Sequence, residues 1–394
     1  MRAGIYGAVL VIVCLCTTTC GQDNIFERIT AETAPTRPRI EGAPTNMVVV
    51  TRNSTPIMYV ASGRLHWYAK ATGAGATDLP QWNLPDHAIP QPGGNISLLA
   101  ATSNNTLYAL CREESYRDLN MTLRSIASNG TAWQNVTIDS SAADYPVIHS
   151  IYADPTSTRV FAGAGTPSAN AFAILYLDGT TLKMLQPNSG ILSGAAFSSG
   201  THYLSTRGGG IYSITDTGIT GTPTQLADNS GGNNPNRLFM GMIRLGTNII
   251  IAVERGGGLY SVNAGNFTSL SYALNYYATG ALALWENGTT RLLVAGIQER
   301  LTSTSSTNRY GYVEFVLDAG NSITGRNEGD YLMSIINGGS TAQYASSLGK
   351  YPVNHLFQAP TNIDTAQTFF ASTQTKGLFS YRERDGTWQW NAQE

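Results

Sequence analysis

Charge is scarce in this chain. Asp, Glu, Lys and Arg make up 13% of its 394 residues, about half the usual ~25%. Solubility must therefore come from Ser, Thr and Asn. The 24 basic and 26 acidic residues nearly cancel and form no basic run, which excludes the electrostatic footprint of a nucleic-acid binder. Cysteine is almost as rare. Cys14, Cys16 and Cys20 fall in the first 20 residues, leaving Cys111 to the body, so no disulfide framework is available and packing must hold the fold. After residues 5–16 no apolar run approaches the ~20 residues that a membrane helix needs. Catalytic signatures are missing too. There is no Gly-x-Ser-x-Gly elbow, His-Glu-x-x-His, Cys-x-x-Cys or phosphate loop, so no cofactor and no metal is expected.

What the chain has in abundance is glycine, 41 residues of it. Residues 207–213 read Arg-Gly-Gly-Gly-Ile-Tyr-Ser and residues 255–261 read Arg-Gly-Gly-Gly-Leu-Tyr-Ser, 48 residues apart. Each follows a strand-forming run, such as Ile249-Ile250-Ile251-Ala252-Val253 in the second copy. Two short strands joined by a glycine turn at this period mark an array of small sheets, one blade per ~40–50 residues. Further first strands begin near Met47, Ile96, Val147, Leu192, Leu238, Ala281 and His355, at intervals of 49, 51, 45, 46, 43 and 74. The expected fold is all-β, a single β-propeller of about seven four-stranded blades over residues 45–394. The long last interval places an insertion around 317–350, with a short helix expected near 341–348.

The glycine turn should join the second and third strands of a blade, because tight hairpins need positive φ. The aromatic two residues after the last glycine, Tyr212, Tyr260 and Phe379, should then pack between blades. Residues 1–20 carry Arg2, the apolar run and small polar residues, the pattern of an export signal. Residues 21–44, rich in Thr, Pro and Ala, read as a flexible tether.

Three resemblances follow from particular residues. Cys20 at the end of the signal resembles the acceptor cysteine of bacterial lipoproteins, although Thr17 and Thr19 replace that pattern's Leu and its Ala or Gly. It implies acylation of Cys20 and a cell-envelope protein touching the membrane through that anchor alone. The open alternative is a freely secreted chain cut near Gly21. Residues 251–262, Ile-Ala-Val-Glu-Arg-Gly-Gly-Gly-Leu-Tyr-Ser-Val, resemble the repeat of sensor propellers of the two-component-regulator type. Residues 63–73, with Trp82 after them, resemble the quinoprotein-like propeller repeat, which also builds an outer-membrane-assembly lipoprotein scaffold. These imply fold more than activity.

Candidate ligand-binding residues come from blade geometry. Arg207, Glu254, Arg255 and Lys376 belong to glycine turns expected on one face, with Arg64 nearby, and could steer an anionic ligand. The alternative is that they merely keep exposed turns soluble. Tyr145-Pro146-Val147-Ile148-His149 and Tyr351-Pro352-Val353-Asn354-His355 share Tyr-Pro-Val-x-His at the start of a first strand. His149 and His355 should thus hold equivalent channel-lining positions, able to ligate a metal or move protons, although blades far apart round the ring hold them too far apart for one metal, unless the motif serves only blade entry. The functional expectation is an exported, monomeric binding or assembly scaffold engaging a protein or glycan. The alternative is a carbohydrate-active propeller enzyme using His149 or His355 as acid or base, although the nearest thing to a sialidase Asp-box is Asp385-Gly386-Thr387-Trp388, without its leading half. Eight Asn-x-Ser/Thr sequons (Asn53, Asn95, Asn104, Asn120, Asn129, Asn135, Asn266 and Asn287) are glycan acceptors in a eukaryotic export route. In a bacterium they only reflect composition.

Overall fold

The computed structural model describes residues 40, 44–69, 81–83, 89–112, 121–168, 171–228, 238–253, 258–263, 266–270, 276–300, 311–327, 348, 351–374, 376–384 and 387–392. The chain divides into Met1–Arg39 with Glu394, and Ile40–Gln393. The first unit, with the expected export signal and Cys20, lies outside the described residues. All that follows concerns the second.

Seven sheets follow one another along the chain. Blade 1 is β1 (Met47–Arg52), β2 (Thr55–Ser62), β3 (Arg64–Ala69) and β4 (Gln81–Asn83). Blade 2 is β5 (Asn95–Ala101), β6 (Leu107–Arg112), β7 (Met121–Ile126) and β8 (Gln134–Asn135). A short β9 (Thr137–Ile138) precedes blade 3, which is β10 (Val147–Tyr152), β11 (Phe161–Gly165), β12 (Phe172–Asp178) and β13 (Thr181–Asn188). Blade 4 is β14 (Ile191–Ser198), β15 (Thr201–Arg207), β16 (Gly210–Thr215) and β17 (Thr224–Asp228). Blade 5 is β18 (Phe239–Leu245), β19 (Asn248–Val253), β20 (Gly258–Asn263) and β21 (Asn266–Ser269). Blade 6 is β22 (Tyr276–Asn287), β23 (Thr290–Arg300), β24 (Gly311–Leu317) and β25 (Ile323–Asn327), and blade 7 is β26 (Val353–Gln358), β27 (Phe369–Thr373), β28 (Gly377–Arg384) and β29 (Thr387–Ala392). Within each blade the four strands pair antiparallel in chain order. The expected β-propeller is thus the observed fold, with seven blades.

Strand runs such as Ile249–Val253 are apolar throughout because both faces of a blade are covered. Ile249, Ile251 and Val253 pack with blade 4 residues Ala196, Tyr203 and Ile211. The alternate residues Ile250 and Ala252 pack with Leu293, Ala295 and Phe315 of blade 6. Period two therefore sends successive side chains into opposite seams. Seven buried clusters occupy the seams between neighbouring blades, one for each. The last joins blade 7 (Ala359, Phe370, Leu378) to blade 1 (Met47, Met58, Val60, Tyr68, Trp82) and includes Ile40. That seam closes the ring. Tyr212, Tyr260 and Phe379 each pack into the seam with the preceding blade, as their place after the glycine turn predicts.

The inner ends of the blades approach closely. Ser150 Oγ donates to Leu192 O at 2.7 Å and Ser193 Oγ to Phe239 O at 2.7 Å, tying blade 3 to 4 and 4 to 5. Gly241 of β18 lies so near Gly280 O of β22 that any side chain there would collide with the backbone. Blades 2 to 7 all carry a register shift in their first strand, which bends each inner strand where the blades crowd together.

Two features go beyond four strands per blade. β9 adds in parallel to the outer edge of blade 3, so the linker from blade 2 covers an edge that would otherwise be open. In the region of the expected insertion, β25 completes blade 6 and Leu348 is buried in the seam with blade 7. The remainder of residues 328–350, and with it nearly all of the expected helix, lies outside the described residues. Cys111 is a buried free thiol, pushed up to about 11 mainly by burial. Among the described residues no helix is long and apolar enough to cross a membrane.

Candidate functional site

Four-stranded blades in chain order divide their connections between two faces. The turns between second and third strands share one face with the blade-to-blade linkers. The first-to-second and third-to-fourth turns lie on the other. Arg207, the last residue of β15, and Lys376, between β27 and β28, are both exposed at second-to-third turns. Arg64, the first residue of β3, is exposed at the same kind of turn after Gly63, whose φ is +66°.

A threonine clamps the turn in two blades. Thr206 Oγ1 donates to Gly210 O at 3.1 Å and accepts from Gly210 N at 2.8 Å. Thr373 Oγ1 donates to Gly377 O at 3.0 Å and accepts from Lys376 N at 3.1 Å. The two loops are equally long, but Arg207 follows its threonine directly and Lys376 stands three residues after. Arg64 and Lys376 occupy neighbouring blades 1 and 7, with Arg207 three blades away from either. The cations therefore share a face without converging on one point. Glu254 and Arg255 lie outside the described residues.

The two motif histidines sit on the first strands of blades 3 and 7, far apart round the ring, and they are not equivalent. In blade 3, pairing runs from Ile148 to Ser150, and His149 is the extra residue of the bulge. In blade 7 it runs from Val353 to His355, so Asn354 is the extra residue and His355 pairs with Ser372. A one-residue shift of the bulge changes which face of the strand the imidazole joins, and this corrects the expected equivalence.

Both rings are half-buried, with a buried Nε2 that has no hydrogen-bond partner. His149 lies over Gly165 with its edge to Phe172, and burial lowers its pKa. His355 stacks on Phe357. Burial pushes it down to about 4, while a hydrogen bond with the Met47 backbone acts in the opposite direction. Burial thus favours the neutral imidazole at both positions. Among the described residues no group of three His, Cys, Asp or Glu side chains gathers in a metal-binding arrangement.

Sequence reading missed a cluster on the opposite face. His202, in the seam of blades 3 and 4, lies between Phe161 and Phe197 with ring centroids 5.1 and 4.6 Å away. Its Nε2 is 3.0 Å from Asp216 Oδ1, which also accepts from Arg159 Nε at 2.9 Å. Those bonds hold the Asp216 carboxyl below its ordinary range. Burial lowers the His202 pKa against the pull of Asp216. The residues are 14 and 57 apart in sequence and share no motif: the β15–β16 pairing brings His202 to Asp216, and the docking of blade 3 on blade 4 brings Arg159. Beside them, on the other face of blade 4, a cleft of about 350 Å³ is lined by Thr201, Tyr203, Ser213, Ile214, Thr215, Gly218, Thr222 and Thr224.

No family model matches the chain, and no curated protein matches it in sequence. Among solved structures it is similar to the computationally designed protein Ika8, with TM-score 0.48 and 12% identity over 88% of this chain and 98% of that one. A provisionally named 6-phosphogluconolactonase from Bacteroides uniformis gives TM-score 0.48 and 11% identity over 90% and 96%. Likenesses this distant add nothing about activity, and the fold rests on the seven sheets and their seams.

Proposed function

We propose that this is an exported, non-catalytic binding platform whose glycine-turn face takes an extended acidic partner, a protein or a glycan. The observation that carries this reading is the spacing of Arg64, Arg207 and Lys376. Each is exposed on a second-to-third turn, and together they span blades 1, 4 and 7. Cations that converged would suit one phosphate or carboxylate. Cations set round a ring suit a polyanion that touches several blades, with each Arg offering a planar fork to carboxylate or sulfate. The platform works equally on an acyl tether at Cys20 or free in the medium, because the blades alone fix the binding face.

Exposed charges are screened beyond ~8 Å at physiological salt, so binding should weaken steeply as salt rises. The test is titration of the purified protein with heparin and with polyglutamate, as sulfated and carboxylated probes, at two salt concentrations. The variant carrying Arg64→Ala, Arg207→Ala and Lys376→Ala should lose at least tenfold in affinity for whichever probe binds and keep its melting temperature. Unchanged affinity in that variant, or no binding of either probe, would sink the assignment.

A further inference from the structure

Seven of the eight sequon asparagines fall among the described residues, and every one of the seven is exposed. Their distribution over the ring is uneven. Asn53 opens the β1–β2 turn in the left-handed region, with φ of 46°. Asn104 lies in the β5–β6 turn, Asn287 ends β22 at the turn to β23, Asn129 lies between β7 and β8, and Asn266 begins β21 after β20. All five are at first-to-second or third-to-fourth connections, the face opposite Arg64, Arg207 and Lys376. Each of the five has Thr two residues on: Thr55, Thr106, Thr131, Thr268 and Thr289. The other two differ in their place in the blade. Asn95 begins β5 on the cation face, and the hydroxyl of its partner Ser97 is bonded to Leu110 O at 3.1 Å. Asn135 is on the outer strand β8, and the hydroxyl of its partner Thr137 lies 3.2 Å from that of Thr181.

We infer that Asn53, Asn104, Asn129, Asn266 and Asn287 carry N-linked glycans, which coat the face opposite the cations. The co-reactant is an oligosaccharide held on a lipid as its pyrophosphate ester. The side-chain amide nitrogen forms a bond to the anomeric carbon, the bond from that carbon to the pyrophosphate oxygen breaks, and the lipid pyrophosphate departs with the amide proton. A finished glycan needs an acceptor whose nitrogen can point into solvent, which an exposed turn provides and a buried strand does not. Asn104 illustrates the fit. Its Oδ1 accepts from Thr102 Oγ1 at 2.6 Å and from Thr106 N at 3.3 Å, so the side chain is anchored through the atom that glycosylation leaves unchanged.

The coat also answers the shortage of charge. A surface with 13% charged residues in the whole chain gains from hydrated sugar the solubility that ions supply elsewhere.

This inference rests on the export part of the proposed function and is independent of the cation face. The test is intact mass and peptide mapping of the protein purified from its own host, before and after treatment with peptide N-glycosidase, which turns each glycosylated Asn into Asp. The expected result is a large mass loss with new aspartates at positions 53, 104, 129, 266 and 287. A mass equal to that of the bare polypeptide, a chain that begins at an acylated Cys20 without sugar, or sugar confined to Asn95 and Asn135 would each overturn it, leaving the platform reading in place. An uncleaved leader on cytosolic protein would instead remove the export reading beneath both.

Discussion

The seam between blades 5 and 6 and the seam between blades 7 and 1 do the same job with different materials. In the first, Leu245, Ile250, Ala252 and Leu259 meet Leu293, Ala295, Ile297, Phe315 and Leu317, all of them buried. In the second, apolar packing is joined by polar groups. Tyr68 OH donates to Asp364 Oδ2 at 3.1 Å, and the same carboxylate accepts from the Ala366 and Thr368 amides. His355 and the buried Ser372 face each other across β26 and β27. The register places His66 opposite Val60, on the side turned toward blade 7. Blades 5 and 6 are neighbours in sequence, whereas Tyr68 and Asp364 are 296 residues apart. Closing so long a loop is entropically costly, though the penalty grows only logarithmically with length. Between blades 5 and 6 the buried cluster is wholly apolar. Where the ends of the ring meet, directional bonds select one alignment of two blades that the chain does not align for them.

The hardest test of this contrast is to cut one large side chain from each seam. Phe370 is fully buried and sets its edge to Tyr68 at 5.9 Å and to Trp82 at 5.5 Å between ring centroids. Phe370→Ala should cost about 3–5 kcal/mol in urea denaturation, and Leu293→Ala about 2–5 kcal/mol. Hydrogen exchange should separate them. In Phe370→Ala the amides of β1 and β29 should lose protection before the rest, while Leu293→Ala should lower protection evenly. Even loss in both variants would show that the closing seam is no weaker than the others.

A smaller effect should come from pH. His355 titrates near 4 in the fold against an ordinary value of 6.5, so between those values the unfolded chain binds the proton more readily. Stability should be full above about pH 6.5 and fall as pH drops toward 4, by up to ~3 kcal/mol. Burial lowers His149 and His202 in the same direction, and among the described residues Asp364, His66 and Tyr68 are ionisable groups on or facing the His355 seam. Melting temperatures from pH 7 to 4 should therefore drop less in His355→Gln than in the parent. Identical slopes would take the pH effect away from the closing seam.

The smallest change is Tyr68→Phe. It removes one donor from Asp364 and leaves two backbone amides on it, and it should cost about 1–1.5 kcal/mol. Among the described residues of the blade 5–6 cluster no hydroxyl offers a matching deletion. A loss below about 0.3 kcal/mol would mean that the bond decorates the seam without aligning it.

The blades were legible because two periodicities coincide. Glycine turns recur with the blade, and strands such as Ile249–Val253 bury both faces, so six first strands begin within two residues of their expected starts, while β22 of blade 6 begins at Tyr276, five residues before Ala281. The turn cations were also legible as to face, since topology alone places every second-to-third turn together. Three things were hidden. The bulge that separates His149 from His355 is a matter of register, and Tyr-Pro-Val-x-His looks the same in either register. The contact of His202, Asp216 and Arg159 depends on two neighbouring blades docking. β9 is two residues of a linker whose strand character comes only from the edge of blade 3.

Every blade is made from one unbroken stretch of chain, and this shapes how the molecule must be born. Six blades can form in turn while the chain is still emerging, each covering the exposed flank of the one before. Until residues 353–392 arrive, however, two flanks stay bare: the Met58, Val60, Tyr68 and Trp82 side of blade 1 and the Trp285, Leu292 and Tyr312 side of blade 6. A nascent chain arrested before its last blade is therefore a sticky, open horseshoe, and only the arrival of the seventh wedge makes it a closed, non-adhesive disc.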